Sequence, residues 1–252
     1  MNIVSHPSVE TPNGNIVVWR YMSLAKFLDM IVHNRLFFVN AIKLTDAREM
    51  SIPLSTLTEK RVELELTGLK GRDLEEEIAV FEWQHNAMRD LTLVNCWSIG
   101  RYESYALWKI YVGGAQVGVA VRSSISRLKK AIINGKDPVS EDVYIGRVKY
   151  ANQIPVKELS RFTLITTKKL PYEFENELRL FILHFPLSES ETIPPYDSTI
   201  GRGVAVDLAV MIDKIYLSPF VGRWFRATLD NVIKKIQPVL LNRLVTSSIR
   251  DV

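Results

Sequence analysis

Two carboxylates mark the entry to an apolar strand in the C-terminal part of the chain. Glu175 and Glu177 are two residues apart, after a polar turn and before residues 178–183, which are apolar except for Arg179. Because residues i and i+2 of an extended strand project from the same face, both carboxylates are expected to point the same way. Like charges held that close raise at least one pKa, which suits acid–base chemistry or stabilisation of a developing positive charge. The alternative is a solvated strand entry in which neighbouring basic side chains balance the two charges.

Two further polar residues lie on, or at the end of, predicted strands. Arg20 follows the apolar residues 17–19. Burying an arginine alone is very costly, so Arg20 must reach water, a salt-bridge partner or a ligand such as a phosphate, which a guanidinium holds through two parallel hydrogen bonds. Ser98 ends the run Leu93-Val94-Asn95-Cys96-Trp97, and a hydroxyl in that position either caps the following turn or orients a ligand.

Aromatic residues are frequent near these positions, and metal ligands are not. Tyr105 and Trp108 lie on a helix predicted over residues 103–111 and are candidates to pack against a flat ring, although most aromatic side chains are expected in the core. The four histidines lack metal-ligand spacing, and a single cysteine, Cys96, excludes a disulfide within the chain and a cysteine-based metal cluster. No metal site is therefore expected.

The composition is typical of a packed globular protein. The 252 residues are 47% hydrophobic and 24% charged, which suits one large domain. No stretch approaches the ~18 apolar residues of a membrane span, and the first residues do not form a secretion signal, so we expect a cytoplasmic protein without membrane association. The net charge of +4 is compatible with nucleic acid or a phosphate-bearing cofactor, but the basic residues are scattered.

The predicted strands outnumber the helices and do not alternate regularly with them. Strands are predicted at residues 16–20, 36–39, 91–97, 117–121, 144–150, 178–184, 203–208, 215–217 and 239–245, and helices after Ser23, from Asp73, at 103–111, after Ser124 and at 220–236. Residues 45–72 carry charge without clean periodicity, and we interpret the region around residues 45–90 as a possible charged helical insertion. This order predicts an α+β protein, a single domain over residues 1–252 with a mixed or antiparallel sheet core and flanking helices.

The layout resembles an uncharacterised prokaryotic family, the domain-of-unknown-function family numbered 2971. The matching segments are Trp19-Arg20-Tyr21-Met22-Ser23, Leu36-Phe37-Phe38, Cys96-Trp97-Ser98, Leu107-Trp108, Gly118-Val119-Ala120-Val121, Tyr172-x-x-Glu175-x-Glu177-x-Arg179 and Ile215-Tyr216-Leu217-Ser218-Pro219. The chain departs from the family after the second strand. There an Asn-Asp-Pro-Phe-Glu stretch is replaced by Thr45-Asp46-Ala47-Arg48-Glu49, which leaves open any role for Asp46 and Glu49.

The chain also resembles the arginine–serine–glutamate branch of the ADP-ribosyltransferase superfamily. In that branch an early strand carries Arg, a middle strand ends in Ser, and a late strand is entered through Glu-x-Glu. This chain has Arg20, Ser98 and Glu175-Asn176-Glu177 in that order, although its middle motif is Cys96-Trp97-Ser98 rather than Ser-Thr-Ser. The resemblance implies an ADP-ribosyltransferase-like fold and NAD as the substrate, and it predicts that Arg20, Ser98 and Glu177 converge on one pocket.

This second resemblance implies a role for each candidate residue in cleavage of the nicotinamide–ribose bond. Glu177 would stabilise the oxocarbenium-like transition state, and Glu175 would orient the acceptor. Arg20 would grip the pyrophosphate or ribose side of NAD, and Ser98 would hold the nicotinamide ribose and keep Glu177 in position. An aromatic residue, Tyr105 or Trp108, would pack on the nicotinamide.

Three functional hypotheses follow. The leading one is an NAD-dependent ADP-ribosyltransferase or NAD glycohydrolase in a cytosolic toxin or phage-defence setting, with protein, nucleic acid or water as acceptor. The second is a non-enzymatic interaction or regulatory module on the same fold, in which Arg20 and the two glutamates form a structural ion-pair network. The third is a nucleic-acid-binding module, which rests on the mild basic charge and predicts salt-dependent affinity.

Overall fold

The computed structural model describes residues 1–44, 49–113, 117–184, 200–222 and 224–251. Within these ranges ten strands form one sheet, and two short strands pair separately. The strands are β1 (Asn2–Val4), β2 (Val17–Ser23), β3 (Arg35–Asn40), β4 (Thr92–Ile99), β5 (Gly118–Ser124), β6 (Asp142–Arg147), β7 (Lys149–Tyr150), β8 (Thr167–Lys168), β9 (Glu177–Leu183), β10 (Gly201–Ala205), β11 (Lys214–Leu217) and β12 (Leu244–Thr246). Their order in the sheet is β1-β6-β9-β4-β2-β5-β11-β12, with β3 paired to β4 and β10 paired to β3.

The sheet is mixed and carries helices at its flanks. Its β1–β6 and β11–β12 pairs are parallel, and the remaining pairs are antiparallel. The described helices are α1 (Leu24–His33), α2 (Leu54–Leu66), α3 (Gly71–Asp90), α4 (Tyr105–Tyr111), α5 (Ile125–Asn134), α6 (Arg161–Ile165), α7 (Leu208–Met211) and α8 (Trp224–Ile236). The predicted α+β class, with a mixed sheet core and flanking helices, is confirmed.

Two serine-capped helices close the main core over the sheet. The hydroxyl of Ser23 accepts a hydrogen bond from the backbone of α1, and Ser124 does the same for α5, which satisfies amide groups that the first turn leaves unpaired. Each helix buries one stripe of apolar residues at helical spacing. The buried residues are Phe27, Met30 and Ile31 on α1, and Ile125, Leu128, Ala131 and Ile132 on α5. These residues belong to one hydrophobic cluster with the sheet and α8.

The sheet is divided at the junction of β2 and β4. β2 pairs with β5 over seven residues, and β4 pairs with β9 over seven residues. β2 and β4 share only two pairs, Val18 with Ile99 and Trp19 with Ser98. The sheet therefore consists of two well-paired halves joined at one short ladder, and the edges of β2 and β4 beyond that ladder are open to each other.

The structure departs from the sequence prediction around α2, α8 and β12. α2 occupies part of the range in which the sequence lacks clean periodicity, and it packs against α3. Whether these two helices are an insertion stays a prediction. α8 begins at Trp224 rather than at residue 220, and residues 238–243 form a 3-10 helix before the short strand β12. Pro238 begins this 3-10 helix, a position at which the fixed φ and missing amide hydrogen of proline are tolerated.

The described helices include none that is both long and apolar enough to cross a membrane.

Candidate functional site

A cavity of about 140 Å³ opens where β2 and β4 part. Arg20 contributes from β2, Ser98 from β4, and Glu175 and Glu177 from the entry to β9. Four residues that the sequence singles out therefore line one cavity. Its aromatic walls are Trp19, Tyr21, Trp97 and Tyr111. Arg20, Ser98 and Glu177 thus meet in one aromatic-lined pocket, as their order and placement on strands predict.

The two carboxylates reach the cavity by a different backbone path from the predicted one. Glu175 is the last residue of a 3-10 helix, and Asn176 adopts the left-handed conformation with φ of 42°. The expected extended spacing of Glu175 and Glu177 is therefore wrong, although both side chains reach the same pocket. Asn176 secures this turn to the end of β4, since its Nδ2 donates to the carbonyl of Ile99 at 2.9 Å and its own carbonyl accepts from Ile99 N at 2.7 Å.

Ser98 positions the turn that carries the carboxylates. It lies directly opposite Glu177 in the β4–β9 ladder. Its hydroxyl donates a hydrogen bond to the backbone carbonyl of Glu175. The hydroxyl hydrogen is therefore committed to the protein, and only the oxygen lone pairs of Ser98 remain for a ligand.

Lys168 is shared by three carboxylates. Its Nζ lies 2.7 Å from Glu175 Oε2, 3.5 Å from Glu177 Oε2 and 3.6 Å from Glu49 Oε1. Glu175 and Glu177 are only 7% and 5% exposed. The alternative of a solvated strand entry is therefore wrong, because the two carboxylates are buried and compensated by specific cations.

Arg179 fixes the orientation of Glu177. Its Nε lies 3.0 Å from Glu177 Oε1, and its Nη2 lies 3.0 Å from Glu177 Oε2, a two-point contact that defines the plane of the carboxylate. The same guanidinium pairs with Glu49 and donates to the carbonyl of Ile165 at 2.8 Å. A sequence signal for this role exists, since Arg179 interrupts an apolar strand two residues after Glu177, and a buried arginine requires partners.

Burial and charge act in opposite directions on the ionisable groups of this cluster. Burial raises the pKa of Glu177, and the nearby Lys168 ammonium opposes that rise. Burial would lower the pKa of Lys168, but Glu177 and Glu175 outweigh it and raise the pKa above its usual value. Lys168 therefore stays protonated at neutral pH and favours the ionised form of Glu177.

Arg20 is a half-buried cation with no ion-pair partner in the part of the chain that the structure describes. Its Nη1 is shielded from solvent and makes no hydrogen bond there. Burial lowers the pKa of Arg20 to about 10, so the guanidinium remains charged at neutral pH. Leaving a buried donor unsatisfied costs about 1–3 kcal/mol, and more when the group is charged. The geometry suits a site whose missing partner is an anionic ligand.

A second cavity of about 660 Å³ adjoins the first. The two share four lining residues, Arg20, Met22, Lys26 and Cys96. The walls of the second cavity are mostly apolar, with Met30, Leu36, Phe37, Val39, Leu44 and Val94. Its basic groups are Arg20, Lys26, Arg35 and Lys43, and its acidic group is Asp29, which Arg35 holds at 2.7 Å.

The two aromatic candidates lie outside these cavities. Trp108 is fully buried, and its Nε1 donates to Glu103 Oε2 at 2.9 Å. Tyr105 is 54% exposed and packs edge-on against Phe220 at 5.9 Å between ring centroids. The predicted packing of either ring on nicotinamide has no support in this geometry. Tyr111, at the end of the same helix, lines the first cavity instead.

Two other expectations concern metal binding and the loop at residues 45–49. Among the described residues, no group of three or more His, Cys, Asp or Glu side chains is arranged to hold a metal ion. Asp46 lies outside the described residues. Glu49 lies within them and contacts both Lys168 and Arg179, a position that sequence reasoning did not assign to it.

No protein-family model matches the chain, and it has no match among curated proteins or solved structures. The two family resemblances therefore stay predictions.

Proposed function

We propose that this protein cleaves the nicotinamide–ribose bond of NAD, as an ADP-ribosyltransferase or an NAD glycohydrolase. The observation that carries the proposal is the half-buried Arg20, whose Nη1 is shielded from solvent and has no partner among the described residues, in a cavity that also holds Glu175 and Glu177. A substrate with an anionic centre and a cationic leaving group satisfies both features at once. NAD has a pyrophosphate for Arg20 and a positively charged nicotinamide ring for the carboxylate side.

The cavities suit a ligand with two halves. The first cavity is smaller than the ~300–1,000 Å³ of typical small-molecule sites, whereas the second, at about 660 Å³, lies within that range. Because both are lined by Arg20 and Lys26, a pyrophosphate placed at their junction meets two cationic side chains. The nicotinamide ring then enters the first cavity with its ribose at the junction, and the adenosine occupies the larger, apolar one.

Glu177 is suited to stabilise charge on the ribose. When the bond from C1′ to the nicotinamide nitrogen breaks, its electron pair leaves with the nicotinamide, which becomes neutral, and positive charge develops on the ribose. Arg179 and Lys168 hold the Glu177 carboxylate in one orientation, and the remaining lone pairs of its oxygens can face that charge. A preorganised charge of this kind contributes to catalysis because it needs no reorganisation during the reaction.

Glu175 is suited to accept a proton from the acceptor group. Its Oε2 contacts Lys168, while its Oε1 has no hydrogen-bond partner among the described residues. That oxygen is available to accept the proton from an attacking O–H or N–H group as the new bond to C1′ forms. Ser98 supports both roles indirectly, since it holds the backbone between the two glutamates.

The proposal also includes the fold of the core and the biological process in which the protein acts. The split between β2 and β4, with Arg, Ser and Glu on three neighbouring strands, supports an ADP-ribosyltransferase-like arrangement of the core. A cytosolic toxin or phage-defence setting rests on the two sequence resemblances alone.

One observation favours the alternative of a non-enzymatic interaction or regulatory module. Glu49, Lys168, Glu177 and Arg179 form a closed, buried ion-pair network that orients the turn at Glu175 without any ligand. Such a network is sufficient to explain why charged residues are buried here. The network does not include Arg20, however, and the alternative does not explain why the shielded Nη1 of Arg20 has no partner among the described residues.

Calorimetric titration and product analysis test the proposal. NAD and ADP-ribose are each expected to bind the purified protein at one saturable site, because both carry the pyrophosphate, whereas nicotinamide alone binds far more weakly. NAD is expected to yield free nicotinamide, measured by chromatography. Absence of binding by both NAD and ADP-ribose would leave the ion-pair module as the better account.

A further inference from the structure

Helix α4, the loop before it and the turn before Glu175 carry four exposed aromatic residues, of which Tyr111 lines the first cavity. Tyr102, Tyr105 and Tyr111 are 72%, 54% and 49% exposed. Phe174, which directly precedes Glu175, is 54% exposed. We call these four residues, together with Arg101 and Lys109, the aromatic rim. Large aromatic side chains that remain accessible next to a functional cavity are typical of a binding surface.

Cations of the rim lie against its rings. The guanidinium carbon of Arg101 is 5.4 Å from the centre of the Tyr102 ring. Lys109 Nζ is 5.5 Å from the centre of the Tyr105 ring and 4.1 Å from that of Phe220. Each cation is therefore held over an aromatic face and remains exposed to solvent. Within residues 101–111, the rim offers flat faces and positive charge side by side.

The acidic side chain within residues 101–111 is bound to other parts of the protein rather than free on the rim. Within residues 101–111 the acidic side chain is Glu103. Its two oxygens accept hydrogen bonds from Trp108 Nε1, from the Ser247 hydroxyl, and from the backbone and hydroxyl of Ser248. The charges that α4 and its preceding loop present to solvent are consequently those of Arg101 and Lys109.

We propose that the aromatic rim binds unpaired nucleotides and that the acceptor of the ADP-ribosyl group is a single-stranded nucleic acid. The acceptor assignment rests on the NAD-cleaving function proposed above. Bases that are not in a duplex stack on aromatic side chains irrespective of sequence, and neighbouring lysine and arginine side chains hold the phosphates. Interleaved rings and cations provide both interactions, whereas a surface for a protein acceptor does not require the cations.

Tyr111 and Phe174 link this surface to the chemistry. Tyr111 lines the cavity with Glu175, and Phe174 is adjacent to Glu175 in the chain. A base stacked between the rim and the cavity presents an N–H or O–H group next to Glu175. In the transfer, the bond from C1′ to nicotinamide breaks, the bond from C1′ to the acceptor atom forms, and the acceptor proton passes to Glu175.

Oligonucleotide binding in the absence of NAD tests the surface independently of NAD cleavage. The probes are a fluorescent 20-mer of mixed sequence as single-stranded RNA, as single-stranded DNA and as duplex DNA, measured by anisotropy at several salt concentrations. The single strands are expected to bind at least tenfold more tightly than the duplex. Tyr102→Ala and Tyr105→Ala are each expected to weaken binding on the order of tenfold.

Two further variants sharpen the test. Lys109→Gln is expected to reduce the slope of log affinity against log salt by about 0.7, the value for one phosphate contact on a single strand. Trp83→Ala is the matched control, because Trp83 is as exposed as Tyr102, at 70%, but lies on α3 outside the rim. It is expected to leave oligonucleotide affinity unchanged. Equal losses for Trp83→Ala and Tyr102→Ala, or equal affinity for single strands and duplex, would overturn the inference.

Transfer of labelled ADP-ribose in a cell lysate decides between acceptor classes. The labelled product is expected to resist proteinase and to be lost on nuclease treatment. Label that proteinase removes would identify a protein acceptor and overturn the assignment. Nicotinamide release without oligonucleotide binding refutes this inference alone. Oligonucleotide binding without nicotinamide release refutes the proposed function, and the acceptor assignment falls with it.

Discussion

Trp19 on β2 and Ser98 on β4 lie directly opposite each other, at the last paired position before the two strands part. On its other side, Ser98 pairs with Glu177 of β9. The residue after Trp19 is Arg20, which faces the opening between the strands. This single register brings together a cation, a hydroxyl and a carboxylate that are far apart in sequence.

Replacing Arg20 by methionine is expected to stabilise the protein while weakening NAD binding. The substitution removes a buried donor without a partner among the described residues, so the free energy of unfolding should rise by about 1 kcal/mol. Loss of the contact to pyrophosphate should weaken NAD binding about tenfold or more. Thermal melts and calorimetry measure both. Arg35→Met is the control, since Arg35 is already paired with Asp29 and should give no gain. A destabilised Arg20→Met protein would show that Arg20 has a structural partner.

Trp108→Ala and Tyr105→Ala are expected to differ in stability despite lying on one helix. Trp108 is fully buried, so its truncation should lower the free energy of unfolding by about 3–5 kcal/mol. Tyr105 is largely exposed, and its truncation should change that free energy by no more than about 0.5 kcal/mol. Urea unfolding measures the difference. A Trp108→Ala protein as stable as wild type would contradict the burial of this ring.

Lys168→Met is expected to move the titration of Glu177 to higher pH. Burial already raises the pKa of Glu177, and removing the Lys168 ammonium removes the charge that opposes this rise. NAD cleavage requires ionised Glu177, so activity should fall as pH drops through a pKa above that of an ordinary glutamate, and at still higher pH in Lys168→Met. The contribution of Glu177 to the free energy of unfolding depends on pH in the opposite direction from the activity. It is fully present below the ordinary glutamate pKa and is lost as pH rises through the raised one.

Carbon NMR of the carboxyl groups reports this titration directly, without relying on activity. Lys169→Met is the matched control, because Lys169 is the exposed neighbour of Lys168 and should leave the Glu177 titration unchanged. A Glu177 midpoint that stays the same or falls in Lys168→Met would contradict the electrostatic account.

Glu175→Gln is expected to separate transfer from bond cleavage. Glu175 is assigned to the acceptor proton, so transfer of labelled ADP-ribose should fall while nicotinamide release continues. Parallel measurement of nicotinamide and of labelled product distinguishes the two steps. Equal loss of both activities would assign Glu175 to bond cleavage instead.

Some of the site is predictable from the sequence because a few residues break local patterns. Arg20 follows an apolar run, and Glu175 and Glu177 precede another, so each stands out where a strand should be apolar. These residues converge because β2 and β9 both pair with β4. The β2–β4 and β4–β9 pairings are long-range contacts, which local propensity does not encode.

Other features depend on tertiary contacts that no local pattern reports. Helix α2 has a weak apolar stripe and buries only Thr56, so its sequence resembles a charged loop. Lys168 and Glu49 lie in unremarkable polar surroundings in the sequence, and only the fold shows that they meet Arg179 and the two glutamates. Trp108 was a candidate for ligand packing because an aromatic residue on a short helix suits either the core or a cavity, and here the core holds it.

Nicotinamide release by wild type, Glu177→Gln and Glu173→Gln tests the central claim most directly. Glu173 is an exposed glutamate four residues before Glu177 and provides the same substitution outside the cavity. Wild type and Glu173→Gln should release nicotinamide from NAD at similar rates. Glu177→Gln should be slower by on the order of a hundredfold or more, because it loses the charge that stabilises the ribose. It should remain folded, because glutamine keeps the size of the side chain and a carbonyl oxygen that can accept a hydrogen bond from Arg179. No nicotinamide release by wild type, or full activity in folded Glu177→Gln, would contradict the account.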